Sequence, residues 1–294
     1  MKQSEQLPEI EKTHEQRVQE IYESAIAQHA SFKELGEERL KGIIGTELER
    51  IDLLEEAGME NERNHFQVDK NTAEKIGAIW VFSGPGTYKQ PFKEDRYKDL
   101  PWAAWMDRNR LQRAALLARH IAEIKSGFTP DRSKEFAGKN REALRSMIKQ
   151  YAPHLIYNGT KVEDAVLQSV LDDDDPEHKR DPIFTGETVE IVGEGIDNTV
   201  DQIKKFELPD DLTLTGKEIV LLSHAPHLDR VLHFLQRYEP LPKGTVPRLF
   251  PIAMPRVGGE EYTLQEIRGL LYYMFISKNK DAAEEVPPYT VNTG

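Results

Sequence analysis

From residue 77 onward, the chain alternates short apolar runs with segments of helical periodicity, and this alternation restricts the fold more than any other feature. Apolar runs of this length are typical of strands buried on both faces. Because parallel strands need a crossover between them, five strand–helix units in series predict a parallel sheet covered by helices. The predicted strands are GAIWVFSG (77–84), HLIYNG (154–159), TVEIVGEG (188–195), EIVLLSH (218–224) and RLFPIAM (248–254).

Residues 14–57 follow a different pattern, with apolar residues at helical spacing in two stretches. Ser31 and Glu34 have the spacing of a capping box and predict a break between two helices. The predicted fold class is therefore α/β: a Rossmann-like open sheet of about five mainly parallel strands with helices on both faces, plus an N-terminal helical hairpin. We divide the chain into a helical N-terminal extension (1–72) and an α/β domain (73–294). The sequence leaves open whether the hairpin packs on this domain or mediates self-association.

Composition excludes several classes of protein. A net charge of −12 argues against non-specific binding to nucleic acid or to an anionic membrane. The absence of cysteine excludes disulfides, thiolate zinc sites and a cysteine nucleophile. The N-terminal residues lack the apolar region of a signal peptide, and no apolar run approaches the length of a membrane span. We expect a cytoplasmic protein whose partner is a small-molecule ligand.

Two polar stretches interrupt the strand–helix pattern. Residues 85–102 are too long and too polar for an ordinary connection, and loops of this kind in compact domains are often lids, so we predict a lid. Residues 172–182 begin with four aspartates, which could bind Ca²⁺ or Mg²⁺ but lack the glycine and the closing glutamate of an EF-hand loop. We interpret them as a solvated loop.

Small and polar residues follow four successive predicted strands. In an open parallel sheet, ligands bind beyond the carboxyl ends of the strands, so these residues are predicted to converge on one site. The same residues also have structural interpretations, since glycines make turns and Asn198 or Thr199 could cap a helix. The candidate ligand-binding residues at the strand ends are Ser83, Gly84, Gly86, Asn158, Gly159, Thr160, Glu163, Asn198, Thr199 and Ser223.

Charged residues near predicted helix starts add to this site. Pro226 suits the first turn of a helix, which places His227 and Arg230 in its early turns, where cations oppose the helix dipole. A phosphate or carboxylate bound there would explain both residues, and Arg110 has a similar position in another helix. Alternatively, His227 is neutral and Arg230 pairs with Glu194 or Asp229.

A metal site is a third interpretation of this stretch. It would use His224, His227 and Asp229, but no further ligand is specified and a proline lies between the histidines, so we predict no metal. Familiar catalytic signatures are also absent: the sequence contains no phosphate-binding P-loop, nucleophile elbow, zinc-protease motif or complete dinucleotide-binding fingerprint.

Taken in order, these residues resemble the YdcF/SanA/ElyC-like family, a domain of unknown function. The resemblance covers about residues 77–276 and lies in the end of the first strand, Arg110 before RLQRA, YNGT with Glu163, EGIDNT with Glu194, and SHAPHLDR. The family usually has a second glycine or serine where Asn158, Gly159 and Thr160 stand, and many members carry membrane anchors.

The resemblance implies a Rossmann-like fold, S-adenosylmethionine binding in one branch, and no generally established reaction. Together with the strand-end residues, it favours an enzyme, such as a hydrolase or transferase, acting on a nucleotide-like or phosphorylated ligand. Arg110 and Arg230 would hold the anion, and His227 would be the general acid or base. Glu194 would orient His227 or bind a ribose hydroxyl, and His224 is a further catalytic candidate. A non-catalytic binding protein and a pure interaction protein are the alternatives.

Overall fold

The computed structural model describes residues 12–83, 105–128, 138–171, 188–208, 212, 214, 217–254 and 259–292. They contain a six-stranded sheet of order β3-β2-β1-β4-β5-β6 in which all neighbouring strands are parallel. This is a Rossmann-like strand order, and the predicted fold class is confirmed. The strands are β1 (Ile76–Phe82), β2 (His154–Asn158), β3 (Val189–Ile191), β4 (Glu218–His224), β5 (Arg248–Ile252) and β6 (Thr290–Val291).

Helices cover both faces of the sheet. Among the described residues, no helix has the length and apolar character needed to cross a membrane. A 3₁₀ helix (Ala30–Leu35) separates the first two α-helices, and a short π-helix (Tyr272–Ile276) follows the last one. The helices are α1 (His14–Gln28), α2 (Glu37–Arg63), α3 (Lys70–Lys75), α4 (Trp105–Ser126), α5 (Gly138–Tyr151), α6 (Lys161–Leu171), α7 (Thr199–Lys204), α8 (Ala225–Tyr238) and α9 (Gly259–Leu271).

Alternate residues of the central strand enter two different hydrophobic cores. Ile79 and Val81 belong to the core that includes α4 and α5, whereas Trp80 and Phe82 belong to the core that includes α7 and α8. Because successive strand side chains point to opposite faces, a strand buried on both faces is apolar throughout. This explains the continuous apolar runs that predicted the sheet.

The structure differs from the sequence-based prediction in several elements. Strand β6 and helices α3 and α5 were not predicted. A break between the first two helices was predicted correctly, but Ser31 caps neither of them. A capping box at Thr13 and Gln16 begins α1 instead, and Gly36, with a φ of 81°, precedes α2.

Helix α2 packs directly on the sheet and on α8. Gly58 lies so close to β5 that a Cβ atom there would be 2.6 Å from the backbone nitrogen of Ala253. Three residues further along, the side chain of Asn61 donates a hydrogen bond to the carbonyl oxygen of Pro251 at 3.1 Å. Leu54 joins the core formed by β1, β4 and α8. The N-terminal helices therefore share a hydrophobic core with the α/β domain.

The close contact at Gly58 predicts a strong effect of a single methyl group. Gly58→Ala should lower the free energy of unfolding by about 1–3 kcal/mol, because backbone atoms of β5 must move to admit the Cβ. Gly42 is the matched control, since it lies in the same helix and a Cβ there would meet nothing within 4 Å. Gly42→Ala should stabilise the protein by roughly 0.5–1 kcal/mol. Urea unfolding of both variants measures the difference, and equal effects would contradict this packing.

The contact between α2 and the end of β5 also predicts a pH dependence. The Glu55 carboxylate accepts a hydrogen bond from the backbone N–H of Met254, and burial raises the pKa of Glu55 to about 7. A raised pKa favours the protonated folded state, so this contribution to stability is present at low pH and is lost as pH rises through about 7.

Glu55→Gln should therefore stabilise the protein at pH 8 by roughly 1–3 kcal/mol and leave its stability at pH 4 nearly unchanged. Urea unfolding at the two pH values measures the effect. The neighbouring Glu56 is exposed, so Glu56→Gln should show no such pH-dependent gain. A Glu55→Gln gain that is equal at both pH values would refute the burial argument.

Candidate functional site

A cavity of about 200 Å³ opens at the carboxyl edge of the sheet. It lies beyond β1 and β2 and beside the helices that follow β2, β3 and β4. The strand order reverses between β1 and β4, and open α/β sheets bind ligands at such a reversal. The cavity is lined by Ser83, Thr160, Glu163, Ile196, Asp197, Asn198, Thr199, Gln202, Arg230 and Tyr273.

A buried hydrogen-bond network joins the ends of β1 and β2 to α7. The Asn158 side chain accepts from Trp80 Nε1 at 2.8 Å and donates to the carbonyl oxygen of Gln202 at 2.8 Å. In turn, Gln202 Nε2 donates to Ser83 and to the carbonyl oxygen of Asn158. The side chain of Asn158 is thus used within the protein, and it does not line the cavity.

The turn from β2 into α6 is shaped by hydrogen bonds of its own. A Cβ at Gly159 would lie 2.8 Å from the Tyr157 ring, so only glycine fits there without rearrangement. Thr160 and Glu163 form a capping box, in which the Glu163 carboxylate accepts from the Thr160 N–H at 2.7 Å. Both of these side chains also line the cavity.

The start of α7 forms another part of the cavity wall. Asn198 caps this helix, and its side-chain oxygen accepts from the N–H of Asp201 at 3.1 Å. Asn198 therefore has the capping role considered from the sequence, and it lines the cavity as well, together with Asp197 and Thr199.

A continuous hydrogen-bond path leads from the cavity to a buried histidine. Thr199 Oγ1 lies 3.1 Å from His227 Nε2, and Ser223 Oγ lies 3.0 Å from His227 Nδ1. Arg230 Nη2 donates to the same Thr199 oxygen at 3.1 Å. His227 is completely buried and does not line the cavity, so Thr199 connects it to any ligand there.

Two further buried residues, Arg110 and His224, lie behind this path. Arg110 Nε donates to His224 Nδ1 at 3.1 Å, and Arg110 Nη1 donates to the carbonyl oxygen of Phe82. Burial, followed by the positive charge of Arg110, lowers the pKa of both His224 and His227 well below the usual value. Both imidazoles are therefore neutral near pH 7, and a neutral imidazole donates at one nitrogen and accepts at the other.

The structure brings together some of the predicted site residues and separates others. Six of the predicted residues line the cavity: Ser83, Thr160, Glu163, Asn198, Thr199 and Arg230. Arg110, Asn158, Gly159, Ser223, His224 and His227 are buried around it without lining it. Gly84, Gly86, the predicted lid and the four-aspartate stretch lie outside the described residues.

Glu194 does not orient His227, because both ring nitrogens of His227 contact hydroxyl groups. The Glu194 side chain is exposed, and its backbone oxygen accepts from Lys205 Nζ at 2.9 Å. The proposed partners of Arg230 also need correction. Arg230 Nε pairs with Glu266 at 3.0 Å, and Asp229 pairs with Arg50.

Four lining residues were not assigned to the site from the sequence. Asp197 and Gln202 lie within a few residues of the predicted N-cap of α7. Their closeness to Thr199 in sequence is the signal that could have identified them as lining residues. Ile196 precedes them in the same loop. Tyr273 lies in the π-helix, about 40 residues beyond Arg230 in sequence, and no local pattern links it to the site.

In the part of the chain that the structure describes, one group of side chains has the spacing of metal ligands: Glu47, Asp229 and His233. A guanidinium already contacts all three, because Arg50 Nη1 lies 2.5, 2.8 and 3.0 Å from their ligand atoms. Burial raises the pKa of Asp229 to about 7, with the charge of Glu47 adding to the shift. This group is an ion-pair network between α2 and α8. The residues of the third interpretation have separate partners instead: His224 contacts Arg110, His227 contacts Thr199 and Ser223, and Asp229 contacts Arg50.

Comparisons with known proteins identify no relative. No family model matches the chain, and neither the curated proteins nor the solved structures contain a match.

The ion pair between Arg230 and Glu266 yields a prediction for stability. The two side chains are only 13% and 4% exposed, so Arg230→Gln leaves a buried carboxylate without its cation. We expect a loss of about 3–5 kcal/mol in the free energy of unfolding without any ligand. The double variant Arg230→Gln/Glu266→Gln removes both charges and should recover most of this loss. Chemical denaturation tests both, and a single-variant loss below about 1 kcal/mol would argue against the pair.

Proposed function

We propose that the protein binds a small nucleotide-like or phosphorylated metabolite in the cavity at the carboxyl edge of the sheet and acts on it as an enzyme. The observation that carries this proposal is the convergence of six residues, chosen from the sequence as ligand-binding, on one cavity. The strand order supports it, because the cavity lies where open α/β sheets bind ligands. The resemblance to the YdcF/SanA/ElyC-like family adds S-adenosylmethionine to the candidate ligands.

The chemistry that we propose uses the path from the cavity to His227. Thr199 contacts the ligand, and its hydroxyl passes a proton between the ligand and the neutral imidazole of His227. Ser223 fixes the ring from the other side through Nδ1. Arg230 stabilises negative charge on the Thr199 oxygen, because its Nη2 already donates to that atom. Proton transfer of this kind suits a hydrolase or a transferase.

A non-catalytic binding protein is the second candidate. The complete burial of His227 favours it, because a histidine that does not line the cavity has the position expected of a residue that only holds Thr199 in place. The two candidates differ in what a change at His227 does to turnover, so one pair of variants separates them.

Ligand binding is tested by thermal unfolding with S-adenosylmethionine, nucleotides and phosphorylated metabolites at millimolar concentration. At least one compound should raise the melting temperature by about 5 °C, which corresponds to a ligand at roughly one hundred times its Kd. If no compound shifts the melting temperature of the folded protein, the proposal is wrong.

For a compound that binds, His227→Gln should reduce turnover by about 10²–10⁴-fold and change affinity by only a few-fold. His154→Gln is the matched control, because His154 begins β2 at the opposite edge of the sheet, and it should retain full turnover. Binding by the wild type without turnover of any bound compound would support the non-catalytic alternative.

A further inference from the structure

The described lining of the cavity contains more negative than positive side chains, and its positive side chain is already paired with another carboxylate. Among the described residues that line it, Glu163 and Asp197 carry carboxylates and Arg230 carries a guanidinium. Within the described residues, neither carboxylate forms an ion pair, whereas Arg230 is paired with the buried carboxylate of Glu266 at 3.0 Å. A partly buried ion pair is screened little by salt, so it offsets the Arg230 charge at short range. The part of the cavity lining that the structure describes is therefore acidic.

Gln202 adds a buried acceptor to this acidic lining. Its Nε2 donates to the carbonyl oxygens of Ser83 and Asn158, and these contacts fix the orientation of the amide. Its Oε1 has no hydrogen-bond partner, although the side chain is only 2% exposed. Since a buried acceptor without a donor is unfavourable, a ligand N–H or O–H that reaches Gln202 Oε1 satisfies an acceptor that no protein group satisfies.

The remaining lining groups fit a compact organic ligand. Ile196 and Tyr273 supply apolar surface, and a volume of about 200 Å³ holds a small metabolite or one part of a larger one. A phosphate group would carry its two negative charges into a space that already holds two carboxylates. Like charges a few ångströms apart repel by about 1–4 kcal/mol at the effective dielectric of a protein surface, and each tenfold change in affinity corresponds to about 1.4 kcal/mol.

We propose that this cavity selects cationic or neutral ligands rich in hydrogen-bond donors, such as amines and polyols, and discriminates against phosphorylated ones. Glu163, Asp197 and Gln202 are the residues that determine this specificity. The inference rests on the proposed function, because it assumes that the cavity binds a metabolite. It keeps the unphosphorylated, nucleoside-like part of the proposed ligand class and argues against the phosphorylated part.

The experiment compares matched pairs of compounds that differ by one phosphate. Suitable pairs are adenosine and AMP, guanosine and GMP, ethanolamine and phosphoethanolamine, and glucose and glucose 6-phosphate. Affinities are measured by titration calorimetry or ligand-observed NMR at low ionic strength. In each pair that binds, the unphosphorylated member should bind at least about tenfold more tightly.

Variants then assign the discrimination to the acidic residues. Asp197→Asn and Glu163→Gln each remove one charge, and Gln at 163 keeps an oxygen to accept from the Thr160 N–H. Each variant should reduce the preference for the unphosphorylated member at least about threefold. Glu207→Gln is the matched control: Glu207 is exposed beyond the C-terminal end of α7, so removing its charge should leave the preference unchanged.

The outcomes separate the two proposals. Tighter binding of the phosphorylated members would overturn the selection rule and leave the proposed ligand site intact. A preference that neither Asp197→Asn nor Glu163→Gln alters would overturn the assignment to these residues. If neither the members of these pairs nor S-adenosylmethionine bind, the site itself is refuted, and the selection rule with it.

Discussion

The parallel pairing of β1 with β2 on one side and β4 on the other is the constraint on which the rest of the structure depends. From β1 the chain proceeds outward through β2 and β3, then returns to pair β4 with the free edge of β1. The connections on the two sides diverge, and their divergence leaves space at the carboxyl edge of the sheet. The cavity is a consequence of this topology, and the residues that line it come from the loops and helices on either side of the reversal.

Buried polar groups hold the base of the cavity in place. Trp80, Asn158 and Gln202 connect two strand ends to α7, and Trp80 also stacks on Phe206 with 3.7 Å between ring centroids. Buried amides of this kind specify one arrangement, because displacement of either partner leaves a donor or acceptor unsatisfied. Asn158, which looks like a ligand-binding residue in the sequence, instead fixes the position of Gln202.

Helix α8 connects this site to the N-terminal helices. One of its faces carries His227 and Arg230 toward the cavity wall, and another carries Asp229 and His233 toward α2. There, Arg50 lies within hydrogen-bond distance of both of these residues and of Glu47. The N-terminal helices therefore support the helix that bears two residues of the site, in addition to covering apolar surface.

Local sequence was sufficient to predict most of the sheet and part of the site. The strands β1, β2, β4 and β5 were visible as apolar runs, because burial on both faces favours apolar residues at nearly every position. The edge strand β3 is shorter and less buried, and it was visible from Val189, Ile191 and Val192. Strand β6 was not visible, since a strand of two residues is too short to show a periodic or apolar pattern. Helix α5 was missed although Leu144, Met147 and Ile148 have helical spacing, because polar and charged residues surround them.

The sequence by itself determined which polar residues follow each strand, and the rule that parallel strands share a carboxyl edge predicted that they converge. Only the tertiary structure decided their roles. Arg230 finds its carboxylate in α9, and His227 reaches the cavity through a threonine 28 residues earlier in the chain. Charge pairing and burial depend on neighbours brought together by packing, and those neighbours leave no local pattern in the sequence.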